Sequence, residues 1–398
     1  MNTSLFLGAG SSVPYGFPTT VQFKEKLKQI PNKSEFKALD ALLENPDYLD
    51  VEHILKAIEE MMIFSKQLGA HFFSNSIVFS YRNQEGKYTF QNIMAHLNEN
   101  YLKIKEYVYK FYSWNDLDVK ILERNLSHVL NILSKSQDGI HIFTTNYDQS
   151  IETYVDGHSD LTCNDGFVHN FKIRRNIFDP NSFSNDKNQV NLYKLHGSLN
   201  WKMTKFGVTR LDSETQNKND PDNLVVYPTL SPKDGMLREP FKTIRDIFEK
   251  HIYQTDIVIV IGYSFRDHHI NEIFKNFLRN PNKKLFIVSP SVKVDWHQNF
   301  LKNEQYGTME LIFSKTNIPT DPAIQSFPTY YDQYLKIKFK QKEGYAGKEL
   351  DDAKKQLNDI LKPILPNHDT QVILVNTNIE TANSLSLFGI IPIISDYC

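Results

Sequence analysis

Apolar positions along the chain follow two patterns. Short apolar runs occur at Leu5 to Leu7 and at IHIFTTN (140–146), NLYKLHG (191–197), DIVIVIGYS (256–264) and KLFIVS (284–289). Three of the last four are continuous, and they end in small or polar residues. That is the pattern of buried parallel strands with functional loops at their C-terminal ends. From Ser34 to Ser136 the spacing changes. EFKALDALL, VEHILKAIEEMMIF and VKILERNLSHVLNIL repeat apolar residues at three- and four-residue steps and predict helices. The less regular stretch from Phe72 to Phe90 fits a loop or a short hairpin. Further helices are expected from about Thr20 and at 240–251 and 268–279.

These elements predict an α/β fold, a Rossmann-like open parallel sheet interrupted by a helical insertion subdomain at about 34–136. A catalytic domain is expected over 1–315, with a polar surface loop or hairpin at 205–223. Beyond about 316 the chain changes character. An aromatic, basic stretch (TYYDQYLKIKFKQK), a strong helix (KELDDAKKQLNDILKPIL) and two apolar runs (QVILVN, GIIPII) suggest a small C-terminal accessory subdomain over 316–398.

Composition narrows the function classes. Lys plus Arg number 45 against 47 Asp plus Glu, a net charge of −2, which gives no global reason to expect tight or sequence-specific nucleic-acid binding. Two cysteines, Cys163 and Cys398, cannot build a four-cysteine zinc site or a disulfide framework, so no metal is expected. The N-terminal residues lack a signal-peptide pattern, and no apolar run approaches a membrane span. The chain reads as cytoplasmic and off the membrane.

Four segments carry candidate chemistry. GAGSSVPYGFPT (8–19) lies between a strand and a helix, where Gly8 and Gly10 allow the backbone a sharp turn and close approach to a pyrophosphate. Val13 stands where the ordinary dinucleotide fingerprint has its last glycine, and the loop alone also fits a tight turn without a ligand. TTNYD (144–148) could aim Asn146 and Asp148 into a cleft, or simply start a helix with Asp148 as its cap. In KLHGSLNW (194–201), His196 is placed to exchange protons near neutral pH, or to sit satisfied in the core. In VIVIGYSFRDHHI (258–270), Gly262 and Ser264 could line a nucleotide, and Asp267 reads as a helix N-cap. His268 and His269 point apart on a helix and do not make a metal pair.

Taken in order, these segments resemble the sirtuin superfamily over roughly residues 1 to 315. GAGSSVPYGFP is similar to its G-A-G-x-S-x-x-x-G-[IF]-P loop, TTNYD to its T-Q-N-I-D, KLHGS to its histidine–glycine motif, IGYS to its G-T-S and VSP (288–290) to its V-N-P. The spellings TTNYD, KLHGSLNW and GYSFRDHHI look closer to the bacterial sirtuin-like proteins of antiphage defence than to histone deacylases. The resemblance implies that NAD+ is the substrate and that its nicotinamide–ribose bond is cleaved. Gly8, Ala9, Gly10, Ser12, Phe17 and Thr19 would lie on the cofactor-binding loop. Asn146 would bind the nicotinamide ribose or position a water, Asp148 would contact the carboxamide, and His196 would be the general base. Gly262, Ser264 and Ser289 would contact the adenosine half.

The resemblance also implies a homo-oligomer, with a HerA-like hexameric ATPase as a candidate partner. Thr19, Thr20 and Val21 replace the Asp-Phe-Arg that deacylases carry after the loop, which argues against acyl-lysine chemistry. An NAD-dependent deacylase or ADP-ribosyltransferase and a non-catalytic NAD sensor remain the alternatives.

Overall fold

The computed structural model describes residues 2–30, 42–48, 50–72, 80–83, 86–113, 119–134, 139–211, 224–226, 239–289, 309–313 and 372–375, with residues 352 and 355. Strand β1 (Thr3–Leu7) leads into a 3-10 turn (Ala9–Tyr15) and helix α1 (Thr20–Lys28). Helix α2 (Val51–Phe72), the hairpin β2 (Ser80–Asn83) and β3 (Gly86–Thr89), and helices α3 (Phe90–Tyr112) and α4 (Val119–Leu133) follow. Then come β4 (Ile140–Thr144), α5 (Ser150–Asp156), β5 (Thr162–Asn164), β6 (Phe167–Asn170), β7 (Arg175–Phe178) and β8 (Gln189–Lys194). The chain continues through β9 (Gly197–Thr204), β10 (Gly207–Arg210), β11 (Leu224–Val226), α6 (Phe241–Gln254), β12 (Ile257–Ile261), α7 (His268–Leu278), β13 (Lys284–Val288), β14 (Met309–Phe313) and β15 (Val372–Val375).

Among the described residues, eight strands form one sheet in the order β14-β15-β13-β12-β1-β4-β8-β5, and every pairing in it is parallel. The Rossmann-like expectation holds. All five residues of β1, β4, β12 and β13 are buried, because helices cover both faces. Alternation along each strand splits the core in two. Leu5 and Leu7 of β1, Ile140 and Ile142 of β4, and Ile257, Ile259 and Ile261 of β12 join one cluster with α2, α3 and α4. Phe6, Phe143, Tyr193, Val258 and Val260 face the other cluster, with Phe248 of α6 and Phe274 of α7.

The helices expected as an insertion form a layer of this core. Leu122, Leu126, Val129 and Leu133 of α4 and Ile104 and Val108 of α3 are buried in the same cluster as β1 and β4. Beyond the expected boundary near 315, part of QVILVN becomes β15 and pairs with both β13 and β14, so the sheet extends past that point. EFKALDALL apart from its last two residues, the aromatic basic stretch, the rest of the C-terminal segment apart from residues 352 and 355, the 212–223 loop and the last residue of VSP lie outside the described residues.

A second sheet was not anticipated. Its order is β11-β9-β10-β7-β6, and each pairing is antiparallel. After a short turn at Leu195 and His196 the chain opens into the eight-residue β9, which carries the fully buried Trp201. The described part of the 205–223 segment belongs to the β9–β10 hairpin. The Arg210 guanidinium pairs with the buried Asp165 carboxylate at 2.6 Å and so ties β10 to the residues between β5 and β6.

The chain passes from β1 through the helical layer to β4 on one side, and returns to β12 on the other side of β1. The strand order reverses at β1. In open α/β sheets the crevice outside the carboxyl ends of strands at such a reversal is where ligands bind.

Candidate active site

The loops after β1, β4, β8 and β12 meet at that reversal. The Gly8 amide donates to the Ile261 carbonyl (2.9 Å) and the Gly10 amide to the Gly262 carbonyl (2.8 Å), which commits both amides within the protein. A β-carbon on Gly8 would fall 2.5 Å from Tyr263 Cα, and one on Gly10 would fall 2.9 Å from Gly262 Cα. Gly262 has φ +65°, and a β-carbon there would meet the Ser11 nitrogen at 2.2 Å. These three glycines are therefore required first by the approach of two backbones to each other.

The loop after β4 folds onto the end of β1. The Thr145 amide and the Thr144 hydroxyl donate to the Leu7 carbonyl, each at 3.1 Å, and the Asn146 amide donates to Thr144 Oγ1 at 3.0 Å. Asn146 Nδ2 donates to the Gly8 carbonyl (3.0 Å) and approaches the hydroxyls of Ser11 (3.1 Å) and Ser12 (3.0 Å). The Ser12 hydroxyl in turn donates to Asp148 Oδ2 at 2.7 Å. Asp148 Oδ1 accepts from the Ser150 amide at 3.0 Å, at the start of α5, so the carboxylate serves the helix and the glycine loop together.

Lys194 anchors this arrangement from beneath. It is the one charged residue in β8 and is only 1% exposed. Its ammonium donates to the Asp148 carbonyl and the Ser198 hydroxyl (3.1 Å), and pairs with Glu152 of α5 at 2.8 Å. Burial pushes the Glu152 carboxyl up, and the Lys194 charge opposes that shift. A cation held in this way pins the TTNYD segment to KLHGS.

His196 follows β8, before Gly197 turns the chain at φ +84°. Its side chain is nearly buried, and Nε2 lies 3.4 Å from Asp267 Oδ2. Asp267 caps α7 with its other oxygen, which accepts from the amides of His269 (2.9 Å) and Ile270 (3.4 Å). Burial pushes the Asp267 carboxyl up, but His196 and the helix amides outweigh it and hold the group below the usual carboxylate range.

The helical layer contributes charge to the same region. The Arg266 guanidinium pairs with the buried Asp50, which accepts from the Thr20 hydroxyl (3.3 Å) and caps α2 through the His53 amide (3.0 Å). Burial works against the ionised Asp50, yet His53 and Arg266 hold its carboxyl low. The neighbouring Glu52 carboxyl is pushed up by burial, and the positive field of His196 only partly offsets this.

Among the sequence-predicted residues, Ser12, Asn146 and Asp148 are joined by hydrogen bonds, and Gly8 and Gly10 are locked to the Gly262 turn. Ala9 is half-buried, Ser264 is exposed at the end of β12, and Ser289 is half-buried after β13. Phe17 and Thr19 have local roles. The Phe17 ring is in the core, stacked on Tyr112 at 6.3 Å, and Thr19 caps α1 in a reciprocal box with Gln22. Sequence reasoning missed Asp50, Glu52, Lys194, Arg266 and the second partner of Asp267. A lysine inside an apolar strand and an aspartate just before an amphipathic helix were the available signals.

Of the sequence-predicted site residues, Asn146 and His196 each keep a buried polar atom with no hydrogen-bond partner among the described residues, Asn146 Oδ1 and His196 Nδ1. With Nδ2 committed to the glycine loop, Asn146 can offer only an acceptor. A buried acceptor and a buried imidazole nitrogen call for a polar ligand or water. No group of three or more His, Cys, Asp or Glu side chains among the described residues could hold a metal ion. No described helix is long and apolar enough to cross a membrane.

Residues 140–308 match the family model described as a SIR2-like domain. The matched span contains Asn146, Asp148, His196 and Gly262, and begins after the glycine loop. No curated protein matches the chain. Similar solved structures include a Sir2 homologue–NAD complex, 13% identical over 73% of this chain and 78% of that one, with a TM-score of 0.35. Another is a Sir2–p53 peptide–NAD+ complex, 13% identical over 74% of this chain and 84% of that one, also with a TM-score of 0.35.

Proposed function

We propose that this chain is an NAD+ hydrolase that cleaves the nicotinamide–ribose bond to give nicotinamide and ADP-ribose. The observation that carries the reading is the pair of unpartnered buried atoms, Asn146 Oδ1 and His196 Nδ1, beside a glycine loop at the strand-order reversal. The SIR2-like match over 140–308 and the ordered motifs support it.

The reaction consumes one water. The bond between the pyridinium nitrogen and the ribose carbon breaks, its electron pair stays on that nitrogen, and nicotinamide leaves neutral. The water oxygen bonds to the same carbon, and its proton passes to His196 and then to solvent. Asn146 Oδ1 accepts one O–H of the water and leaves a lone pair for attack. His196 Nδ1 takes the proton directly or through a ribose hydroxyl. The positive charge that develops on the ribose at the transition state is favoured by the Asp148 carboxylate.

Unrestrained hydrolysis would drain the cell of NAD+. We therefore assign the protein a gated role in the cytoplasm, as an effector of antiphage defence by NAD+ depletion. Gating through a homo-oligomer or a HerA-like hexameric ATPase fits the resemblance. The segment beyond 316 is proposed as the accessory part that makes such contacts. In this reading Gly8, Ala9, Gly10, Ser12, Phe17 and Thr19 shape the loop that receives the pyrophosphate, and Gly262, Ser264 and Ser289 face the adenosine half.

The test is incubation of the full chain with NAD+, with and without a candidate partner ATPase, beside Asn146→Ala and His196→Ala variants. Nicotinamide and ADP-ribose released by the parent and lost in both variants is the expected result. Tight NAD+ binding without release under every condition would replace the hydrolase with a sensor. Transfer of ADP-ribose or removal of an acyl group from lysine would replace it with a transferase or deacylase.

A further inference from the structure

We infer that Asp267 is a positioning residue for His196, fixing the ring proton on Nε2 so that Nδ1 is the basic nitrogen facing the ligand. This deepens the hydrolase reading and rests on His196 being its proton acceptor.

The geometry begins with the carboxylate. Asp267 Oδ1 is held by the first amides of α7, at 2.9 Å from His269 and 3.4 Å from Ile270. A carboxylate bound at one oxygen by a helix end cannot rotate freely, so Oδ2 is presented in a fixed direction. That oxygen lies 3.4 Å from His196 Nε2. An ionised carboxylate only accepts hydrogen bonds, so the neutral imidazole beside it carries its proton on Nε2. The second ring nitrogen then keeps its lone pair. Nδ1 is buried and has no hydrogen-bond partner among the described residues. When the ring takes up a proton during the reaction, Asp267 also stabilises the resulting imidazolium.

The surrounding charges keep this pair intact. Arg266, one residue before Asp267, would compete with His196 for the carboxylate if it were unoccupied. Its guanidinium is instead engaged by Asp50 at the start of α2. The helical layer thus removes a rival partner from the His196–Asp267 pair. Sequence spacing could show only that Asp267 caps a helix, because His196 stands far back in the chain, on another strand end, before the fold brings the two together.

Two substitutions separate positioning from capping. Asparagine and serine are both good N-caps, so Asp267→Asn and Asp267→Ser each preserve the start of α7. In Asp267→Asn the new side-chain oxygen keeps the cap, and the amide nitrogen faces Nε2. That nitrogen forces Nε2 to accept, which moves the ring proton to Nδ1. Serine leaves Nε2 without a facing group and lets the ring choose.

The experiment uses full-length protein labelled with nitrogen-15 at histidine, with the His196 signal assigned through its loss in His196→Gln. Expected are a proton on Nε2 in the parent and on Nδ1 in Asp267→Asn. Nicotinamide release by Asp267→Asn should be at least about tenfold lower than by Asp267→Ser. A parent ring protonated on Nδ1, or two variants that both match the parent in ring state and rate, would overturn the inference and leave Asp267 a cap. If the parent releases no nicotinamide, the hydrolase reading fails on its own, while the ring-proton comparison still decides the role of Asp267.

Discussion

Gly10 and Gly262 lie backbone against backbone, joined by a hydrogen bond of 2.8 Å from the amide of one to the carbonyl of the other. Their contact closes the ends of β1 and β12 into a single turn-on-turn unit, which leaves no room for a side chain on either residue.

Substitution at this contact should be far more damaging than at a glycine with open space around it. Gly262→Ala combines φ +65° with backbone atoms 2.2 and 2.4 Å from the new methyl, and we expect it to cost more than about 2 kcal/mol. Gly16→Ala meets φ +88° but open space, and should cost only about 1 kcal/mol. Chemical denaturation of the two variants checks the order. Equal losses would show that backbone conformation, and not the contact, sets the requirement.

The buried cation under the site gives a second expectation. Lys194→Met leaves Glu152 enclosed without its counter-charge, and should lower stability by about 3 kcal/mol. Adding Glu152→Gln to that variant should restore a measurable part of the loss, giving a coupling energy of at least about 1 kcal/mol in a double-mutant cycle. Additive losses would mean that the pair is no more than two separate packing contacts.

A histidine pair far from the candidate chemistry should contribute to the response to acid. His251 stacks on His141 with ring centroids 4.0 Å apart, and its Nε2 meets the Ser4 hydroxyl at 3.0 Å. Burial first, and then the charge of His141, push the His251 pKa from 6.5 down to about 3. The unfolded chain therefore takes up a proton that the fold refuses. Stability from this site is complete above pH 6.5 and falls as pH drops towards 3, by up to about 2 kcal/mol between pH 7 and pH 5. Denaturation midpoints at the two pH values, for the parent and for His251→Gln, measure the effect. A variant that loses as much stability as the parent would assign the acid sensitivity elsewhere.

How much of this was readable in advance depended on whether the cause was local. β4, β12 and β13 were legible because a strand covered on both faces is apolar along most of its length, and β1 and β8 showed shorter apolar runs ahead of a glycine. The helices between Val51 and Leu133 were legible from their periodicity, but their role as a layer of the main core was not, since an amphipathic stripe does not say what it packs on. The second sheet escaped notice because FVHN, RNIF and GVTR are short and mixed, and their stability comes from partners across the sheet. In the site, Gly8, Asn146, His196 and Gly262 were nominated by the resemblance of their ordered segments to sirtuin motifs, while each segment alone left a plain structural role open. The links from Asp50 to Arg266 and from His196 to Asp267 join distant parts of the chain, and no pattern within either segment encodes them.

The position of β1 has a consequence for synthesis on the ribosome. Of the described strands, β1 precedes the others in the chain yet lies in the middle of the sheet, between β4 and β12, and β12 is not complete until residue 261 has been added. Phe6 and its neighbours must therefore wait, fully apolar and half-partnered, while more than half of the chain emerges. Pairings over such separations close slowly, and an unpaired apolar strand is open to association with other nascent chains in the meantime. The glycine turn inherits that delay, so a truncated product ending before β12 would carry the loop sequence without the surface that gives it its shape.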